Sequence, residues 1–124
     1  MPTNQAVPFF KPGHDITGYL TAPLGGKRLV TTTTGSRGSQ PYIAYPTDGG
    51  PVFGVLAYDG VKGDTITVFV GGVVPIIAGA DVTAGTQVQA KADGTIVPLT
   101  DGVPVGYVVA AATTGKSAAV KLYG

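Results

Sequence analysis

Apolar and polar positions alternate along much of this chain, but only in short runs. No stretch longer than eight residues escapes a glycine or a proline. The longest clear ones, Lys27 to Thr34, Thr86 to Asp93, Tyr107 to Thr114 and Lys116 to Tyr123, fall short of the roughly 10 to 12 residues of a packed helix. Period-two alternation, as in Thr65-Ile66-Thr67-Val68, is the mark of a strand with one face buried. The pattern therefore predicts short strands throughout. The best-defined are Gly18 to Ala22, Lys27 to Thr33, Val52 to Tyr58, Asp64 to Val70, Gly72 to Ile77, Thr86 to Lys91, Thr95 to Leu99, Val105 to Ala111 and Ser117 to Tyr123. Asp93-Gly94 sits where a two-residue hairpin turn would join two of them.

The texture changes near Pro51. Residues 1–50 hold six of the ten prolines, the Thr31 to Thr34 run and the polar stretch Gly35 to Gln40, whereas residues 51–124 are regular. We read residues 1–12 as an extended arm and 13–124 as one β domain, with 13–50 as loosely patterned entry strands and 51–124 as the strand core. Sliding the chain by 52 positions sets Gly54-Val55-Leu56 on Gly106-Tyr107-Val108, Gly63 on Gly115, Thr65 on Ser117 and Val68 on Val120. The match is modest, and we read it as common hairpin grammar ahead of an internal duplication. A small closed or nearly closed barrel covers the edges that many short strands leave, and a two-sheet sandwich is the other architecture.

Composition supports this and narrows function. All seven acidic residues are Asp, four of them directly before Gly, at positions 48, 59, 93 and 101, which reads as turn chemistry. The net charge of +1 and the lack of any basic block argue against nucleic acid as a partner. No apolar stretch approaches the length of a membrane span, and Met1 to Phe10 lacks the basic and apolar succession of a leader. Without cysteine there is neither a disulfide framework nor a thiolate metal site.

Candidate chemistry is sparse. The single imidazole, His14, stands beside Asp15 in a Gly-Pro context, and sequence neighbours seldom face one another as acid and base. Ser36, Ser39 and Ser117 lie outside any nucleophile elbow. The Asp residues lack EF-hand spacing. Gly35-Ser36-Arg37-Gly38-Ser39 lacks the Lys-Ser/Thr ending of a phosphate cradle, and a flexible surface loop is expected there. We therefore assign no catalytic residue, no metal and no cofactor. Lys27-Arg28 is a lone basic pair at a strand start. Arg28 is retained as a possible partner contact, because one guanidinium grips a carboxylate through two parallel bonds.

The leading segment differs. Val7-Pro8-Phe9-Phe10-Lys11-Pro12 sets two of the chain's four Phe residues between prolines, which exclude helix and discourage a central strand. Twelve extended residues reach roughly 40 Å. Phe9 and Phe10 then either anchor a partner or fold back to plug the domain's own barrel.

Order and spacing now bring a family into view. Gly54-Val55-Leu56-Ala57-Tyr58-Asp59, Gly63-Asp64-Thr65-Ile66-Thr67-Val68 and Gly72-Val73-Val74-Pro75, with Ala78-Gly79-Ala80, Ala84-Gly85, Asp93-Gly94, Pro98, Gly106 and the closing strand near Val120, resemble the capsid decoration, or cement, proteins of tailed bacteriophages. Pro12-Gly13 to Thr17 followed by Gly26-Lys27-Arg28-Leu29-Val30 resembles the entry strands of actinobacteriophage members. The resemblance implies an all-β, small β-barrel or β-tulip-like domain. It implies a non-enzymatic virion protein, made in the host cytoplasm, that binds the outer surface of the assembled shell, cements neighbouring subunits of the major capsid protein and sits as a homotrimer. The arm from Thr3 to Pro12 would pair with capsid strands. The alternative is a host-surface or carbohydrate-binding module of a head fibre or tail appendage, with Tyr42, Tyr45 and Tyr58 as its platform.

Overall fold

The computed structural model describes residues 15–38 and 40–123. Among the described residues there are ten strands: β1 (Asp15–Leu20), β2 (Leu29–Arg37), β3 (Gln40–Ala44), β4 (Gly54–Leu56), β5 (Thr65–Phe69), β6 (Val73–Ile77), β7 (Gln87–Ala90), β8 (Ile96–Pro98), β9 (Gly106–Ala110) and β10 (Ser117–Leu122). Among the described residues there is no helix. Nine strands fall within or beside the predicted ones. The tenth, β3, lies in the polar region expected to be loop.

Two sheets divide the chain between β5 and β6, well after the change in texture at Pro51. The first is a closed barrel in the order β1-β3-β2-β4-β5, with β5 pairing back onto β1. The second runs β6-β10-β9-β7-β8. A parallel bridge between Ala78 and Ile96 joins its two outer strands, with the Gly79 amide donating to the Ile96 carbonyl at 2.8 Å.

The two sheets are one unit built twice. Moving β1 forward by 58 positions and β5 by 52 turns all five β1/β5 pairs, Asp15↔Phe69 through Tyr19↔Thr65, into the five β6/β10 pairs, Val73↔Lys121 through Ile77↔Ser117. The same shifts carry Leu29↔Val55 and Val30↔Gly54 onto Gln87↔Tyr107 and Val88↔Gly106. They carry Leu56↔Val68 onto Val108↔Val120. With β3 moved by 53 positions, the parallel pair Leu20↔Ile43 becomes the bridge Ala78↔Ile96. This overturns the reading of the echo as hairpin grammar. Generic hairpins share turn residues, whereas here the registers of the β1/β5 and β2/β4 ladders recur in β6/β10 and β7/β9, which sets the face each side chain occupies.

The cores follow. Leu20, Leu24, Val30, Ile43, Leu56, Ile66 and Val68 fill the first unit. Their counterparts Ala78, Val82, Val88, Ile96, Val108, Ala118 and Val120 lie in the second. Two outward residues of the first unit, Leu29 and Val55, join the second unit's core as well. Each such burial contributes about 1.5 to 3 kcal/mol.

Backbone bonds tie the junction. The Ile77 amide donates to the Lys27 carbonyl at 2.8 Å, Leu29 to Gly94 at 2.6 Å, Gly49 to Ala90 at 2.8 Å and Val103 to Gly49 at 2.8 Å. Lys27 adopts φ 58°, the single described non-glycine residue at positive φ. Its carbonyl, turned toward β6, accounts for a conformation that side chains disfavour.

The units differ mainly in one hairpin. β2 and β3 pair as Thr31↔Ala44 and Thr32↔Ile43, slip, then resume as Ser36↔Pro41 and Arg37↔Gln40. Gly35, at φ 104°, lies at the slip, packed against the Tyr42 ring. The stretch expected to be a flexible loop is therefore the end of a bulged ribbon. In the second unit, the Gly94 amide donates to the Lys91 carbonyl and the Lys91 amide to the Thr95 carbonyl. With Gly94 alone at φ 83°, this is a three-residue loop with a glycine bulge and not a two-residue turn.

Candidate interaction surface

Five of the Asp carboxylates are occupied by turn and loop amides. Asp59 accepts from the Gly26 amide at 2.8 Å, Asp64 from Val61 at 3.0 Å, Asp48 from Ala92 at 2.6 Å and Asp81 from Thr114 at 2.9 Å. Asp93 accepts from the Thr95 amide at 3.1 Å and hydroxyl at 2.6 Å. Its carboxyl is held below the usual Asp range. Partial burial pushes it up, but the two Thr95 bonds, with the charges of Arg28 and Lys91, outweigh that. Positive φ is required at Gly49 and Gly94 but not at Gly60 or Gly102. At Gly102 the need is room, since a Cβ would lie 2.6 Å from the Gly49 Cα.

Among the described residues, no group of three His, Cys, Asp or Glu gathers as a metal site, and no helix is long and apolar enough to cross a membrane. Ser36 and Ser117 lie on β2 and β10, in different units. The arm residues Val7, Pro8, Phe9, Phe10, Lys11 and Pro12, together with His14 and Ser39, lie outside the described residues.

Arg28 sits at the junction of the units. It is half-buried, and its Nη1 donates to the Asp93 carbonyl at 2.9 Å. Of the three tyrosines of the platform reading, Tyr58 alone is exposed, at 58%. Tyr45 is half-buried and its hydroxyl accepts from the Gly25 amide at 2.8 Å. Tyr42 packs 5.4 Å from Tyr19, centroid to centroid.

What sequence reasoning missed is the outer face of the second unit. One cross-strand row there is Val73, Lys121, Tyr107 and Gln87, on β6, β10, β9 and β7. Val73 is 55% exposed and Tyr107 39%, with Val109 exposed beside them. The Tyr107 ring lies 6.2 Å from that of Tyr123. The run Tyr107-Val108-Val109 is apolar on both faces, so alternation does not reveal which side is solvent-facing. Only the correspondence with β4 does.

A family model of phage cement proteins matches residues 14–122. The chain belongs to the phage cement protein family. It is thus a structural protein of the phage virion that associates with the capsid. The match spans both units, so the family's domain is the pair and not one barrel. Among solved structures, the head fibre gp8.5 N base of bacteriophage phi29 superposes with a TM-score of 0.75 at 23% identity, covering 88% of this chain and 92% of that one. At that identity the likeness is one of fold. No curated protein sequence matches the chain.

Proposed function

We propose that this cement protein binds the outer surface of the assembled shell and bridges neighbouring subunits of the major capsid protein. The reading rests on the family match across residues 14–122. Local opening of the shell under genome pressure then has to break cement contacts as well. A homotrimer holding several subunits makes each further contact intramolecular, which strengthens the whole. The arm, through Val7, Pro8, Phe9, Phe10, Lys11 and Pro12, supplies the main capsid contact. Arg28 contributes through the guanidinium donors left beyond its Asp93 bond.

Deleting residues 2–11 tests this. The domain is expected to stay folded while binding to empty shells falls well over tenfold, because two buried Phe side chains each contribute about 1.5 to 3 kcal/mol. Undiminished binding contradicts the arm's role. A collapse in melting temperature instead places Phe9 and Phe10 inside the protein's own barrel.

A host-surface module of a head fibre or tail appendage is the second reading, favoured by the exposed ring of Tyr58. Particles lacking the protein would then fail to adsorb to host cells while remaining robust.

A further inference from the structure

The repeat sets one turn beside another, residue by residue. Ahead of β2, the Lys27 amide donates to the Leu56 carbonyl at 2.9 Å and the Leu56 amide to the Arg28 carbonyl at 3.0 Å. Ahead of β7, the Gly85 amide donates to the Val108 carbonyl at 2.7 Å and the Val108 amide to the Thr86 carbonyl at 2.9 Å. The left-handed backbone is kept as well, with φ 58° at Lys27 and 87° at Gly85. The second unit fills this position with glycine, which adopts it freely. The first unit fills it with lysine, whose Cβ is strained there.

The bond from the Ile77 amide to the Lys27 carbonyl explains the backbone but not the side chain, because a glycine carbonyl accepts the same bond. Packing does not explain it either. Lys27 is exposed and belongs to neither core, and its ammonium has no hydrogen bond or ion pair among the described residues. Arg28, next in the chain, uses one guanidinium donor on the Asp93 backbone carbonyl. The first unit thus carries two adjacent cations where the second has the uncharged Gly85 and Thr86.

We infer that Lys27 is a binding residue, whose ammonium, with the remaining donors of Arg28, receives a carboxylate from an acidic segment of the capsid subunit. Strain kept at an exposed position that glycine would relieve points to function. Charge complementarity names the chemistry of the partner, since an ammonium without a counter-ion in the free chain gains one on binding. A contact of this kind is short-ranged and, once covered, weakly screened by salt. The inference rests on the cement reading given above.

Melts and shell binding of the full chain test it together. Gly85→Lys, with open space around its Cβ, isolates the backbone strain and is expected to lower the melting temperature by about 3 °C. Lys27→Gly is expected to melt at or above the parent, and Lys27→Gln, which keeps the strained backbone without the charge, with it. Binding to empty shells is expected to fall about tenfold in both Lys27 variants and to return in Lys27→Arg. A Lys27→Gly protein that melts well below the parent overturns the inference by giving the lysine a role in the fold, and so does a Gly85→Lys protein as stable as the parent. Full shell binding by Lys27→Gln overturns it while the cement reading stands. A parent protein that does not bind shells overturns both.

Discussion

The same ladder position has opposite surroundings in the two units. Leu29 and Val55 face outward from the first barrel and end in the core of the second. Gln87 and Tyr107, in the same register one repeat later, face solvent. The plan of a unit thus settles which residues point out of it, and what stands next to it settles whether pointing out means exposure. Identical strand registers tolerate Leu in one unit and Gln in the other for that reason. The hairpins contrast in a similar way. The first unit's β2/β3 ribbon is long and bulged, whereas the second's β7/β8 loop is tight and tucked beneath Arg28, Leu29 and Tyr45.

Gly94→Val is expected to have the largest effect. It forces a β-branched residue to φ 83° with its Cβ 2.9 Å from the Leu29 carbonyl and Tyr45 Cδ1. A loss of about 4 kcal/mol in chemical denaturation is expected. Gly38→Ala, in the ribbon of the other unit, also meets positive φ, here 61°, but with open space around it. Its cost is expected to be about 1 kcal/mol. Equal costs would mean that the β7/β8 loop is not clamped against β2.

Leu29→Ala comes next, at about 3 kcal/mol for a fully buried side chain. The counterpart Gln87→Ala is expected to change thermal stability of the isolated, unassembled chain by no more than about 0.5 kcal/mol. This pair of melts addresses the comparison itself: similar losses would show that the row is not used differently in the two units.

Asp93→Asn is the smallest. The amide oxygen still accepts from Thr95, so little is lost at neutral pH. The folded carboxyl titrates below its unfolded value. Its contribution is therefore present above the unfolded pKa and is lost as pH falls through the folded one. The parent should lose stability relative to Asp93→Asn in that acid window, and parallel pH profiles would exclude the charge from any role.

Most of the fold was legible because its punctuation is local. Gly and Pro end strands, and alternation assigns faces to Thr65–Phe69 and its like. β3 escaped because Pro41 and the polar Gly35 to Gln40 stretch imitate a loop. In the barrel, Pro41 stands before Tyr42 and Ile43, the residues that pair with β1, so its missing amide is tolerated there. The repeat escaped for a different reason. The longer first hairpin moves the offset from 58 in β1 to 52 in β5, which no ungapped slide can follow. Nor did identity help. Leu20 corresponds to Ala78 and Ile66 to Ala118 in the two cores, since a barrel constrains in and out more than size. The exposed row of the second unit had no signature of its own, because an outward Tyr or Val reads as core until its counterpart is known.

The most direct test of the cementing account is heat-induced DNA release from phage particles, native, stripped of this protein, and supplied again with it, at low and high salt. The account predicts that stripped particles keep their geometry but release DNA at lower temperature. Added protein should restore resistance with little dependence on ionic strength, because a chain of net charge +1 binds through apolar and backbone contacts and not through long-range attraction. Stripped particles as heat-resistant as native ones, yet unable to adsorb to host cells, would contradict it.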